Sequence, residues 1–157
     1  MSRRQSRKSA MQLIYEMNMN ENYDEQKIEE FCKYQDINKK DIEFFREIVL
    51  NFIEHIDDIV NIIENNTKQW NLDRINKLDL SILQVGVCEI LYVESTPDSV
   101  AINEAVELAK EYSTEKSYSF INGICPESTT QITSWKPTNG MLPARISPTF
   151  FWFFATL

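Results

Sequence analysis

Glycine and histidine are scarce in this chain, and their scarcity excludes several kinds of functional site. Only three glycines occur among 157 residues, too few for a Gly-rich loop of the GxGxxG or P-loop type. The only histidine, His55, lies among apolar residues, where a structural role is favoured over catalysis. The three cysteines are far apart without a CxxC pair, which argues against a zinc site or a disulfide framework. We therefore expect no enzyme, no cofactor and no metal.

Long apolar runs are also missing. Polar residues interrupt the apolar ones from Gln5 to Asn22, so no signal-peptide core follows the start of the chain. The apolar ending, residues 150–157, is far too short to span a bilayer. The odd number of cysteines suits a reducing compartment. These absences predict a soluble, cytoplasmic protein that does not bind membranes.

The chain does have a very uneven distribution of charge. Its net charge is −8, yet residues 1–15 hold four cations and no acid. Residues 16–64 hold fourteen acids and five cations, a net charge of −9. A basic end on an acidic chain favours a local site for a polyanion. A solvated helix start with a few basic residues is the plainer alternative.

Apolar residues recur at helical spacing up to about residue 124 and predict an all-α fold. The first helix carries Ala10, Leu13, Ile14 and Met17 on one face. A shorter second helix is expected after Asp24, a capping residue. The stretch from Ile42 to Ile63 is long for one helix, so we expect a break near His55.

Residues 78–93 are apolar on nearly every side, which predicts a central helix with neighbours all round. Thr96 and Pro97 offer a cap and a first-turn proline for the next helix. Ser113 or Thr114 can cap a last helix through Ile121. We thus expect one helical RNA-binding domain over residues 1–125. Residues 126–157 are an irregular tail rich in proline and aromatic residues, to which we assign no function.

The basic residues of the first helix fall in a pattern suited to RNA. Arg4, Lys8, Gln12 and Tyr15 form one stripe beside the apolar face, flanked by Arg3 and Arg7. Cations contact phosphates, a glutamine can read a base edge, and a tyrosine ring can stack on an unpaired base. Cations also sit poorly at the positive end of a helix dipole, so helix stability does not explain them.

Other chemically interesting side chains have ordinary interpretations. Cys32 and Cys88 are expected to be small core hydrophobes. Glu89 lies in the most apolar helix of the chain. We expect it to face a partner or to complete a polar contact.

Two segments resemble the NusB family of bacterial transcription antitermination factors. Residues 100–110, VAINEAVELAK, and residues 117–124, SYSFINGI, carry the most specific likeness. The basic start, residues 3–15, and the segment DLSILQVGVCEIL, residues 79–91, are similar to the first and central helices of that family. The resemblance covers about residues 2–124 in consistent order.

The resemblance implies two small helical bundles that share the central helix. It also implies binding of boxA RNA as a heterodimer with NusE, a ribosomal protein, within an RNA polymerase antitermination complex that acts on ribosomal RNA operons. RNA contacts carried over from the family come from the first helix and the start of the last: Arg3, Arg4, Arg7, Lys8, Gln12, Tyr15, Lys116 and Phe120. For Phe120, core packing is an equal alternative to stacking on a base.

The NusE surface in this family uses exposed parts of the central and adjacent helices, which implicates Asp79, Gln84 and Glu89. The acidic stretch suits a basic partner.

Cys125-Pro126 departs from the family, because it should stop the last helix early. A helical protein-interaction module without specific RNA binding is the alternative function, and a homodimer of the free protein is left open. A targeting domain detached from an RNA methyltransferase is disfavoured, because the chain has no room for a nucleotide-cofactor domain.

Overall fold

The computed structural model describes residues 2–35, 42–66 and 75–115. Over these residues the chain is all-helical, as predicted, and its elements are α1 (Arg3–Asn20), α2 (Gln26–Tyr34), α3 (Ile42–Glu54), α4 (Ile56–Asn66), α5 (Lys77–Tyr92) and α6 (Asp98–Tyr112). The expected caps of the last helix and the tail 126–157 fall at or beyond the edge of these residues. In the part of the chain that the structure describes, no helix is long and apolar enough to cross a membrane.

Local sequence explains where α1 and α2 begin and end. The Ser2 hydroxyl accepts a hydrogen bond from the Gln5 backbone N–H at 3.3 Å, which caps α1. Glu21 ends the helix in a left-handed conformation with φ 50°. The carboxylate of Asp24 accepts from the Gln26 N–H at 2.9 Å, so the predicted start of the second helix is confirmed.

The predicted break near His55 is confirmed, because α3 ends at Glu54 and α4 begins at Ile56. The His55 ring stacks on Tyr92 of α5 with centroids 3.9 Å apart and an angle of 6° between the planes. Burial raises the pKa of Tyr92 to about 12. His55 therefore has the structural role that its apolar surroundings predicted.

The central helix is α5, which contacts α1, α3, α4 and α6. Every residue from Ser81 to Ile90 is buried. α1, α2 and α3 contact one another on one side of α5, and α6 packs along it. This arrangement confirms the central position of the apolar helix.

The start of α6 differs from the prediction by one residue. Pro97 precedes the helix rather than occupying its first turn, and no side chain caps the helix. The Thr96 hydroxyl is buried without a hydrogen-bond partner among the described residues, so the expectation that Thr96 caps α6 is wrong.

Gly86 sets the spacing between α5 and α6. A Cβ atom at this position would lie 3.1 Å from the Cβ of Ala105, closer than side chains normally pack. Two small residues thus let the two helix backbones approach closely.

Replacing Gly86 with leucine should lower the free energy of unfolding by about 1–3 kcal/mol, because the new side chain must push α6 away. Urea denaturation measures this change. Asn103→Leu places the same new side chain on the exposed face of α6 and serves as the control; it should change stability by less than about 0.5 kcal/mol. Equal stability of the two variants would contradict the close approach at Gly86.

Candidate nucleic-acid interface

The exposed cations of α1 lie in a row along its outer face. Arg3 and Arg4 are exposed, and the Lys8 side chain keeps 29% of its surface accessible. Gln12 is half-buried one turn further along, and Tyr15 is 36% exposed. The four residues of the predicted stripe are therefore at least partly exposed, with Arg4 and Lys8 at its start, a polar and an aromatic side chain beyond them, and Arg3 exposed beside it.

Arg3 is held by neighbours from two other parts of the chain. Its guanidinium donates a hydrogen bond to the Ser95 carbonyl oxygen at 3.1 Å. It also lies 4.8 Å from the centre of the Phe44 ring, within range of a cation–π interaction. Both contacts leave the charge at the surface in a defined position.

Lys8 and Arg4 share one carboxylate on α6. The Lys8 ammonium is 3.0 Å from one oxygen of Glu111, and Arg4 is 3.8 Å from the other. The Tyr112 hydroxyl and the Glu111 carboxylate raise the pKa of Lys8, whose ammonium also lies 4.8 Å from the Tyr112 ring centre. Lys8 and Tyr112 in turn lower the pKa of Glu111. The lysine and the glutamate are therefore both charged at neutral pH.

Arg7 does not lie on this surface, which corrects the expectation that it contacts RNA. Its side chain is only 4% exposed and points inward to Glu89 of α5, which is 1% exposed. Nε donates to Glu89 at 2.8 Å and Nη2 at 2.6 Å, a two-pronged ion pair. Glu104 of α6 lies 3.5 Å from Nη1, and the Phe44 ring centre is 5.2 Å from the guanidinium.

The residues expected to contact NusE are also buried. Glu89 accepts from Arg7, and Asp79 accepts a hydrogen bond from the Ser113 hydroxyl. Gln84 is 1% exposed and accepts from the Asn18 amide at 2.7 Å. None of the three is available to a partner at the surface of this structure, because each is occupied by a contact inside the fold.

A buried polar network connects the second half of α1 to α5. The Asn18 side-chain amide donates to Ser81 at 3.0 Å as well as to Gln84, and its carbonyl accepts from Tyr23 at 3.2 Å. These buried groups are hydrogen-bonded to one another, as buried polar groups usually are. The network fixes how α1 lies on α5.

Sequence reasoning missed the partners of these charges. Glu111, Phe44 and Ser95 stand far along the chain from α1, and no local spacing relates them to it. Lys116 and Phe120, the two proposed RNA contacts of the last helix, lie outside the described residues.

The described ranges hold no cluster of side chains suited to a metal ion. No group of three or more histidine, cysteine, aspartate or glutamate side chains is placed to hold a metal ion in them. The Cys88 thiol is buried and donates to the Ile48 carbonyl oxygen at 3.4 Å. Burial raises its pKa, so it stays protonated and unreactive.

Comparison with known proteins identifies relatives over most of the chain. A model described as the NusB family matches residues 4–126. A transcription antitermination protein NusB from Finegoldia magna is 94% identical over 124 residues, which are 79% of this chain and 90% of the relative. A protein of the same name from Acetivibrio thermocellus is 43% identical over 124 residues, 79% of this chain and 86% of the relative.

Solved structures of similar proteins share the fold. T. maritima NusB has a TM-score of 0.74 at 28% identity, covering 88% of this chain and 94% of that one. A crystal structure of antitermination factors NusB and NusE in complex with dsRNA has a TM-score of 0.70 at 25% identity. The match covers 85% of this chain and 98% of that one.

Truncating Arg7 should be far more damaging to stability than truncating its neighbour Lys8. Arg7→Ala leaves the Glu89 carboxylate buried and unpaired, which should cost about 3–5 kcal/mol of unfolding free energy. Lys8→Ala removes only an exposed pair, which should cost less than about 1 kcal/mol. Chemical denaturation of both variants measures the difference.

A double variant, Arg7→Met with Glu89→Leu, checks the cause. It should recover most of the lost stability, because no unpaired charge remains between α1 and α5. If Arg7→Ala and Lys8→Ala unfold at the same denaturant concentration, the buried ion pair is not what holds α1.

Proposed function

The chain belongs to the NusB family, and we propose that it is a transcription antitermination factor that binds boxA RNA together with NusE. In this role it joins an RNA polymerase antitermination complex and supports transcription of ribosomal RNA. As a member of a family of antitermination factors it is not an enzyme. The proposal of RNA and NusE as partners is supported by the related structure of NusB and NusE with dsRNA.

The observation that carries RNA binding is the outward row of cations on α1. Arg4 and Lys8 present two positive charges along one helix face of an acidic protein, and exposed Arg3 adds a third charge beside that face. Phosphate oxygens are the natural ligands of such a row, because each contact releases counterions from the nucleic acid. The charges therefore bind the RNA backbone.

Sequence preference comes from the side chains that follow the cations. Gln12 has a side-chain amide that can pair with a base edge, and Tyr15 has an exposed ring on which an unpaired base can stack. Lys116 and Phe120 are proposed as further RNA contacts, as the family resemblance implies. Arg7 supports the site from inside by holding α1 in place.

The NusE surface is proposed to lie on exposed parts of the acidic helices rather than on buried Asp79, Gln84 and Glu89. Attraction between this negative protein and a basic ribosomal protein favours their association. Participation in an RNA polymerase complex, a cytoplasmic location and self-association of the free protein are further parts of the proposal. The competing function is binding to proteins alone, without specific RNA recognition. RNA titrations distinguish the two functions, because only the proposed one requires a preference for boxA RNA.

RNA affinity should depend on salt to the extent that the three exposed cations of α1 and Lys116 allow. With four phosphate contacts the slope of log affinity against log salt should be about −3, a loss of roughly fiftyfold between 50 and 200 mM salt. Fluorescence anisotropy with a single-stranded boxA RNA measures the slope. A flat response would show that phosphate contacts do not drive binding.

Variants of α1 should separate phosphate contacts from base contacts. Arg4→Ala should weaken binding to boxA RNA and to a scrambled RNA by the same factor, because phosphates carry no sequence information. Gln12→Ala should reduce the preference for boxA over the scrambled RNA. Arg46→Ala, an exposed arginine of α3 paired with Glu29, is the control and should leave both affinities unchanged. If Arg46→Ala weakens RNA binding as much as Arg4→Ala does, the assignment of the RNA-binding face to α1 is wrong.

A further inference from the structure

Glu111 of α6 contacts two of the α1 cations that are proposed to bind RNA phosphates. One of its oxygens is 3.0 Å from the Lys8 ammonium and the other is 3.8 Å from the Arg4 guanidinium. A carboxylate that bridges two cations of a phosphate-binding row occupies the same charges that the phosphate needs. We propose that Glu111 is an intramolecular competitor that lowers the affinity of α1 for the RNA backbone. This inference rests on the proposed RNA binding by Arg4 and Lys8.

The position of Glu111 differs from that of the other acids of α6. Glu104 lies two helical turns earlier and reaches Arg7, inside the fold. Glu107 pairs with Lys110 of its own helix at 2.7 Å. Among the ion pairs described, Glu111 is therefore the α6 carboxylate that bridges exposed cations of α1.

Two opposing effects decide the outcome of removing this charge. Glu111 helps to hold Lys8 over the Tyr112 ring, which favours binding by fixing a flexible side chain. It also repels any phosphate that approaches Lys8. Ion pairs between exposed groups are weak, and Tyr112 still holds Lys8 after Glu111 is neutralised. Repulsion between unit charges about 6 Å apart in water changes affinity roughly threefold, so we expect repulsion to dominate.

The competition affects all RNA sequences alike, because a phosphate is the same in every nucleotide. As a result, contacts to the RNA phosphate backbone contribute less to the total affinity. Contacts from Gln12 and Tyr15 to bases must then supply a larger share of the binding energy. Glu111 in this way limits occupancy of the site by RNAs that lack the right bases.

The test is a comparison of Glu111→Gln with Glu29→Gln by fluorescence anisotropy at one salt concentration. Both variants lose one negative charge from an exposed pair between helices, but Glu29 pairs with Arg46 of α3 and not with a cation of α1. Glu111→Gln should bind single-stranded boxA RNA and a scrambled RNA of equal length about threefold more tightly. Glu29→Gln should bind both like the parent protein, because its carboxylate occupies neither Arg4 nor Lys8.

A second pair of variants connects the effect to Lys8. In a Lys8→Ala background, Glu111→Gln should give a smaller gain than it gives in the parent protein. Unchanged or weaker RNA binding by Glu111→Gln, with Lys8→Ala still weakening it, would overturn the competition and leave the RNA site intact. If Arg4→Ala and Lys8→Ala both leave RNA affinity unchanged, the proposed site is wrong and the competition is overturned with it.

Discussion

The buried ion pair between Arg7 and Glu89 determines how the first helix presents its charges. Both side chains are almost fully withdrawn from water, with exposures of 4% and 1%. Such charges must be paired, because an isolated buried ion is very costly. Successive residues of an α-helix are rotated by about 100°. Once Arg7 is fixed toward α5, Arg4 and Lys8 are rotated from it by about 60° and 100° to the same side of α1, where both reach Glu111 of α6.

A second anchor holds the other end of α1. Asn18 follows Arg7 by eleven residues, about 16 Å along the helix and within roughly 20° of the same face. Its amide is bonded to Ser81 and Gln84 of α5. One end of the helix is thus fixed by charge and the other by neutral hydrogen bonds. A helix tied at both ends is a rigid support for the residues between them, Lys8, Gln12 and Tyr15.

Apolar spacing predicted the helices well, because burial of one face is a local property of the sequence. The central position of α5 follows from it, whereas the start of α2 was predicted from the capping residue Asp24 and the break near His55 from the length of the helical stretch. The roles of polar residues within apolar helices could not be predicted in the same way. Glu89, Gln84 and Asp79 were expected at a partner surface, yet their partners are 82, 66 and 34 residues away in the chain. Arg7 and Lys8 were both predicted to contact RNA for the same reason, because the acid that pairs with each of them is distant in the chain.

Titration of nitrogen-15-labelled protein with single-stranded boxA RNA, followed by NMR, tests most directly whether α1 separates an inward structural arginine from outward RNA-binding cations. The backbone amides of Arg4, Lys8, Gln12 and Tyr15 should shift with added RNA. The Nε–H signal of Arg7 should keep its position and its slow exchange with water, because Glu89 holds it away from the RNA. A large shift of the Arg7 Nε–H signal, or shifts confined to α2 and α3, would contradict this division of roles.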